Sequence, residues 1–165
     1  MREDIRLSKN ESSISSQTYT IKVDVDKNQS TKFHDITETI QQLISKSKIN
    51  SGIAVIFSKH TTSAIVIQEN EPLLLQDLSN TLESFAPKKA KYKHNDFDIR
   101  TVHMHVDECP NGHSHCQHLV LGTSETIPIV ENNLTLGNWQ RIFHVELDQE
   151  GPASYREIIL QILGT

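Results

Sequence analysis

Six of the nine histidines, both cysteines and the single tryptophan lie between Tyr92 and Gln140. The centre of that stretch reads Asp107-Glu108-Cys109-Pro110-Asn111-Gly112-His113-Ser114-His115-Cys116-Gln117-His118. Imidazole and thiolate are borderline ligands suited to a divalent metal, and neighbouring carboxylates can orient them. Surface histidines also cluster without binding anything. Three chelation patterns compete here. Cys109, His113 and Cys116 suit a structural zinc site completed from elsewhere, although the short spacing of common zinc knuckles is missing. His115 and His118, three apart on a helix, share one face. Alternatively His115 joins histidines distant in sequence. His103 and His105, two apart on an extended segment, place both imidazoles on one face, which suits chelation and an exposed sheet face alike.

His60 stands with Thr61, Thr62 and Ser63 at a polar corner between two apolar runs, where one imidazole and three hydroxyls can meet a metal or phosphate oxygens. A turn whose hydroxyls satisfy its own backbone explains the same residues. Tyr92-Lys93-His94-Asn95 by itself reads as a solvated loop. Asn70, Glu71 and Asp77 supply polar groups for coordination or proton transfer, or a capped helix start and a wet face. No Walker-type loop and no Gly-x-Gly-x-x-Gly occurs, so nucleotide-binding folds lack support.

The elements that must position these groups follow from periodicity. Residues 18–25 alternate, with Tyr19, Ile21, Val23 and Val25 on one face, as a half-buried strand does; residues 26–31 are turn-like. Asp35-Ile36-Thr37-Glu38 has the form of a capping box, and Ile36, Ile40, Leu43 and Ile44 continue a helical stripe that ends near residues 50–52. Residues 52–57 and 64–68 read as buried strands. Leu75, Leu78, Leu82 and Phe85 mark a second helix, with Pro72 tolerated in its first turn and Pro87 closing it. Residues 88–98 are loop-like. Residues 99–106 alternate again, with Val102, Met104 and Val106 opposite Thr101, His103 and His105, which predicts a strand. A short helix over 113–121 follows, then strands over 126–130, 134–136 and 141–147. In the last of these, Phe143, Val145 and Leu147 face the core and Ile142, His144 and Glu146 face away. The C-terminal run fits a helix through Tyr155, Ile158, Ile159, Ile162 and Leu163, and a strand through Arg156, Ile158, Leu160 and Ile162. Most neighbouring strands suit hairpins, so the class is α+β with a mainly antiparallel sheet and two to three helices.

A chain of 165 residues suits one domain able to bury a real core. Residues 1–17 are polar and carry no apolar signal segment, so a flexible arm preceding a single domain at 18–165 is expected. No apolar run approaches the ~20 residues of a membrane span. A formal charge of −5 argues against a nucleic-acid binder, the short basic run Lys88, Lys89, Lys91 and Lys93 being the local exception. Two cysteines and no export signal point to a reducing cytoplasm.

Leu136-Gly137-Asn138-Trp139-Gln140, with the upstream Ser124 and Ile127-Pro128-Ile129, resembles the YjbQ family, described as secondary thiamine-phosphate synthase. The resemblance extends to His60-Thr61-Thr62-Ser63, Glu69-Asn70-Glu71 and Asn111-Gly112-His113-Ser114-His115, and so covers roughly residues 18–162, in the manner of an archaeal branch. It implies an α+β fold with a β-sandwich-like core, a strand at the C-terminus, and a homotrimer with sites near subunit boundaries. It also implies a divalent metal on His60, His94 and His115, zinc first, with magnesium or manganese as alternatives. The implied reaction couples a pyrimidine diphosphate to a thiazole phosphate. Catalysis would then fall to Glu71 and His115, and contacts with a small phosphorylated metabolite to Thr61, Thr62, Ser63, Asn70, Trp139 and Gln140. Two departures stand out: Asn138 replaces the family's frequent Thr, and the segment Asp148-Gln149-Glu150-Gly151-Pro152-Ala153 is longer than usual and lacks an arginine after the proline. A metal-dependent hydrolase of a phosphorylated metabolite and a non-enzymatic trimeric metal- or ligand-binding protein are the competing expectations. Membership of His103, His105, Cys109, His113 or Cys116 in a second metal site stays open.

Overall fold

Isoleucine and valine dominate the strands because branched side chains pack well on a pleated, half-buried surface. The structure, a computed structural model, describes residues 13–27 and 32–165. In chain order the elements are β1 (Ser15–Asp24), β2 (Phe33–Asp35), α1 (Thr37–Ser47), β3 (Ser51–Ser58), β4 (Ser63–Gln68) and α2 (Pro72–Phe85). A 3-10 turn (Lys93–Asn95), α3 (Gly112–Leu121), β5 (Ser124–Val130), β6 (Asn133–Leu134), β7 (Arg141–Glu146) and β8 (Tyr155–Gly164) complete them. Every strand pairing is antiparallel: a five-stranded sheet runs β1-β8-β3-β5-β6, and a three-stranded sheet runs β2-β7-β4. The α+β class with a sandwich-like antiparallel core is therefore as expected.

Two apolar layers hold these pieces together. Ile56, Ile158, Leu160 and Ile162 of the large sheet meet Ile65 and Ile142 of the small sheet and Ile40 and Ile44 of α1. Each such fully buried side chain contributes roughly 1.5–3 kcal/mol. Behind the small sheet, Phe33, Phe143, Val145 and Leu147 pack with Leu82 of α2 and with Leu75, Leu78 and Leu121. Phe33 and Phe143 meet edge to face at 5.9 Å. The small sheet is thus covered on both faces, which corrects the reading of β7 as a one-sided strand. Ile142, His144 and Glu146 are as buried as Phe143 and Val145.

Other expectations shift in smaller ways. β1 begins at Ser15, inside the predicted arm, while residues 1–12 and 28–31 lie outside the described residues. Successive strands rarely pair: β5 with β6 is the one such hairpin among the described residues, because β3 and β4 belong to different sheets. Residues 99–106 form no strand. They make an irregular loop that leaves Ile99, Val102, Met104 and Val106 exposed and holds His103 at φ 51°. β8 is a strand in the middle of the large sheet, against the helical count. The cap of α1 also differs from a capping box: the Thr37 N–H donates to Asp35 Oδ1 at 3.0 Å, and Ile36 occupies the cap position. No helix among the described residues is long and apolar enough to cross a membrane.

Candidate functional site

The turn after β3 carries the chain from one sheet to the other, and the residues at that crossing are fixed by its hydroxyls. Ser58 and Ser63, both buried, share a hydrogen bond of 2.6 Å between their Oγ atoms. Ser63 is therefore structural and does not line the cleft beyond the turn. The Lys59 N–H donates to Glu157 O at 3.3 Å, and the Glu157 N–H donates to His60 Nε2 at 3.0 Å. The imidazole of His60 thus takes the place a backbone carbonyl would hold in the β3–β8 ladder. Burial, reinforced by the Arg156 charge, lowers the His60 pKa below its ordinary value and keeps the ring neutral near pH 7.

Opposite this corner, the 3-10 turn and the start of α3 are pressed together. The Gly112 N–H donates to Asn95 Oδ1 at 2.8 Å, satisfying one of the free donors at the start of α3. A Cβ on Gly112 would lie 2.6 Å from Cβ of Tyr92, so only glycine permits this approach. The result places His94 against His115, with ring centroids 4.6 Å apart at 67°. His94 Nε2 is buried without a hydrogen-bond partner. Burial and the neighbouring His94 lower the pKa of His115.

Charged groups frame these imidazoles. Arg156 of β8 and Glu146 of β7 form a buried two-point ion pair that joins the two sheets, Nε to Oε2 at 2.7 Å and Nη2 to Oε1 at 2.9 Å. Arg100 pairs with Glu108 at 3.2 Å and donates to His94 O at 3.4 Å and His103 O at 3.1 Å, clasping the loop that carries His103 and His105. Asp148 accepts from Asn111 Nδ2 at 2.9 Å and faces Cys109 Sγ at 3.9 Å. Burial and that carboxylate push the Cys109 pKa up, so it is a thiol rather than a thiolate. Together these residues enclose a cleft of about 700 Å³, lined by His60, His94, His103, His105 and His115, by Thr61 and Thr62, and by Lys59, Arg100 and Arg156 with Asp107, Glu108 and Asp148.

The expected metal triad is only partly assembled. All three histidines line one cleft, but no set of three His, Cys, Asp or Glu side chains among the described residues is placed to hold an ion. His94 and His115 lie side by side, and the orphaned Nε2 of His94 suits a ligand; His60 has turned its Nε2 onto Glu157. The same holds for a second site. Cys109 and His113 border a smaller cavity with Asp148, and Cys116 does not join them there.

The remaining expected residues sit at the opposite end of the small sheet. Ser63 pairs with Glu146 at the cleft end, whereas Gln68 pairs with Arg141 at the far end. There Asn70 Nδ2 and Arg141 Nε donate to Asp35 Oδ2 at 2.9 and 2.8 Å. Glu71 caps α2, accepting from the Leu73 and Leu74 N–H groups at 2.9 and 2.7 Å, which holds its carboxyl below the usual range. Gln140 Oε1 accepts from the Gly137 N–H at 2.8 Å, and Trp139 is 73% exposed. Within one chain, none of Asn70, Glu71, Trp139 and Gln140 lines the cleft. Conversely, Lys59, Arg100 and Arg156 line the cleft without having been expected there. The signal for Arg156 was present: it falls on the core face of the Ile158, Leu160 and Ile162 alternation, where a charge requires a partner.

Two antiparallel sheets flanked by three helices, with a histidine- and arginine-lined cleft where the chain crosses between them, define an α+β protein with a cleft at the sheet junction. The chain belongs to the YjbQ family: the family described as "UPF0047 protein YjbQ-like" matches residues 21–165. A UPF0047 protein of Methanothermobacter thermautotrophicus is 39% identical over 130 residues, 79% of this chain and 81% of that protein. The crystal structure of a YbjQ-like protein of unknown function from Sulfolobus solfataricus superposes with a TM-score of 0.80 at 34% identity, covering 93% of this chain and 100% of the other. A hypothetical protein from Aeropyrum pernix gives a TM-score of 0.75 at 30% identity, covering 90% and 99%.

Proposed function

We propose that the chain is an enzyme that binds a small phosphorylated metabolite in the cleft between the sheets and displaces diphosphate from it. The reaction is the one the resemblance implies. The ring nitrogen of a thiazole phosphate attacks the methylene carbon of a pyrimidine diphosphate, a C–N bond forms, and the C–O bond breaks with its electron pair leaving on diphosphate. The observation that carries this reading is the cleft of about 700 Å³, in which five imidazoles and the cations of Lys59, Arg100 and Arg156 meet. Negative charge grows on the departing oxygens, and preorganised donors lower the barrier because they need not reorient as it develops. Thr61 and Thr62 donate to phosphate, Arg100 and Lys59 balance its charge, and the buried Arg156–Glu146 pair keeps both sheets in register beneath it. A divalent ion, zinc first and magnesium or manganese next, would take His94 and His115 as ligands and supply Lewis-acid charge near the leaving group.

The homotrimer expected from the resemblance belongs to the same proposal. The outer face of the large sheet carries Ile53 and Phe57, both well exposed, beside the cross-strand neighbours Leu163 and Ile159. A second copy covers that face, and the exposed Trp139 end of a protomer is available to a neighbour's cleft.

Turnover of a pyrimidine diphosphate with a thiazole phosphate, measured in wild type and in a folded His115→Ala variant, tests the reading. Coupling with release of diphosphate, lost at least a hundredfold in the variant, is expected. Phosphate release without coupling would instead favour a hydrolase using the same cleft. Absence of turnover on any phosphorylated candidate would leave a non-enzymatic binding protein.

A further inference from the structure

We infer that His60 acts in the cleft as a hydrogen-bond donor to an oxyanion through Nδ1–H, and not as a third imidazole ligand beside His94 and His115. The inference rests on the phosphorylated-metabolite reading for the identity of the oxyanion, but its geometry is independent of it.

The argument is one of lone pairs. An imidazole has two ring nitrogens, and in its neutral form one carries the proton while the other offers a lone pair. Only a nitrogen with a free lone pair can ligate a metal. His60 Nε2 already accepts the Glu157 backbone N–H at 3.0 Å. A nitrogen that accepts cannot also carry hydrogen, so the ring's single proton is on Nδ1. That leaves His60 with a donor where it lines the cleft and with no lone pair to give a cation.

The surroundings hold the ring in this state. Glu157 lies one residue beyond the last β3–β8 register pair, Ser58 with Ile158; there its N–H takes His60 Nε2 as acceptor, while its carbonyl takes the Lys59 N–H. Releasing His60 to bind a cation would strip a partner from a backbone N–H, a loss that proteins rarely tolerate. His94 differs on this point, since its Nε2 has no partner. His60 therefore shares the cleft with its chain neighbours Thr61 and Thr62, whose hydroxyls are also donors, and with Lys59, whose ammonium pairs with Glu157 Oε2 at 2.6 Å and keeps further N–H groups to give.

Nitrogen-15 correlation spectra of histidine-labelled wild type read the tautomer directly. The expected result is the Nδ1–H tautomer for His60, unmoved by added zinc and shifted by pyrophosphate. The Nε2–H tautomer, or a zinc-induced shift of either His60 nitrogen, would overturn the inference. A second measurement uses His60→Gln, whose side-chain oxygen can still accept the Glu157 N–H while the Nδ1 donor is gone. Pyrophosphate affinity in metal-free buffer is expected to fall about tenfold, the size of one hydrogen bond to a charged group. Unchanged affinity contradicts the donor role. Failure of pyrophosphate to bind wild type at all would strike the phosphorylated-metabolite reading and the oxyanion role together, whereas a zinc response at His60 would strike this inference alone.

Discussion

His144 shows how far one side chain departs from solution behaviour here. Its ring is fully buried in β7, stacked on His34 with centroids 5.8 Å apart, and its pKa is lowered to about 3 by burial and by the nearby His34, Arg156 and His60. Between pH 6.5 and about 3 the unfolded chain takes up a proton at this position that the folded chain refuses. Stability is therefore complete above the unfolded value and declines as pH falls through that window. From pH 7 to pH 5 this group alone accounts for a loss on the order of 2 kcal/mol. Denaturant titrations at the two pH values should show that His144→Leu removes about that much of the wild-type pH dependence. An undiminished dependence in the variant would mean that His144 is not the group responsible. Elsewhere single residues set geometry: Gly112 lets Tyr92 close on α3, and that contact brings two histidines together.

At the scale of elements, the loop between the 3-10 turn and α3 carries the greatest surprise. The alternation of Val102, Met104 and Val106 with His103 and His105 has the pattern of a strand, yet a pattern makes a strand only if an edge is available to pair with, and none is used here. Arg100 holds the loop instead, through Glu108 and the carbonyls of His94 and His103. Arg100→Ala should speed amide exchange over residues 101–108 by about tenfold, while global stability changes by less than about 1 kcal/mol, as expected for a local opening. Unaltered exchange would show that the clasp lies elsewhere. The same comparison explains what could be read from sequence. β1, α1, β3, β4 and α2 were legible because each buries one stripe or a continuous run. β7 was misread because its polar residues, His144 and Glu146, are buried against partners supplied by β2 and β8. The cleft was legible through His60, His94 and His115 but not through Arg156, whose role depends on a strand far away in the chain.

For the molecule as a whole, the assembly proposal makes a direct prediction. Sedimentation should give a trimer for the wild type and a monomer for Ile53→Lys, because a charge on an apolar face cannot be covered without a partner. A wild-type monomer, or a trimer indifferent to that substitution, would remove the outer sheet face from consideration. The strand order carries a different consequence, for how the protein is made. β8 sits between β1 and β3, with Ser15 opposite Gly164, and β7 sits between β2 and β4. Each sheet receives a middle strand, β7 or β8, from well downstream of the strands on either side of it. Until the ribosome has delivered those residues, the edges of β1, β3 and β4 that they pair with stand open in the nascent polypeptide. Neither sheet can close before these strands are made, so the joining of β1 to β3 and of β2 to β4 waits on residues far downstream of them. A stalled or truncated product would be an assembly of unpaired strands, the kind of species that chaperones capture and aggregates recruit.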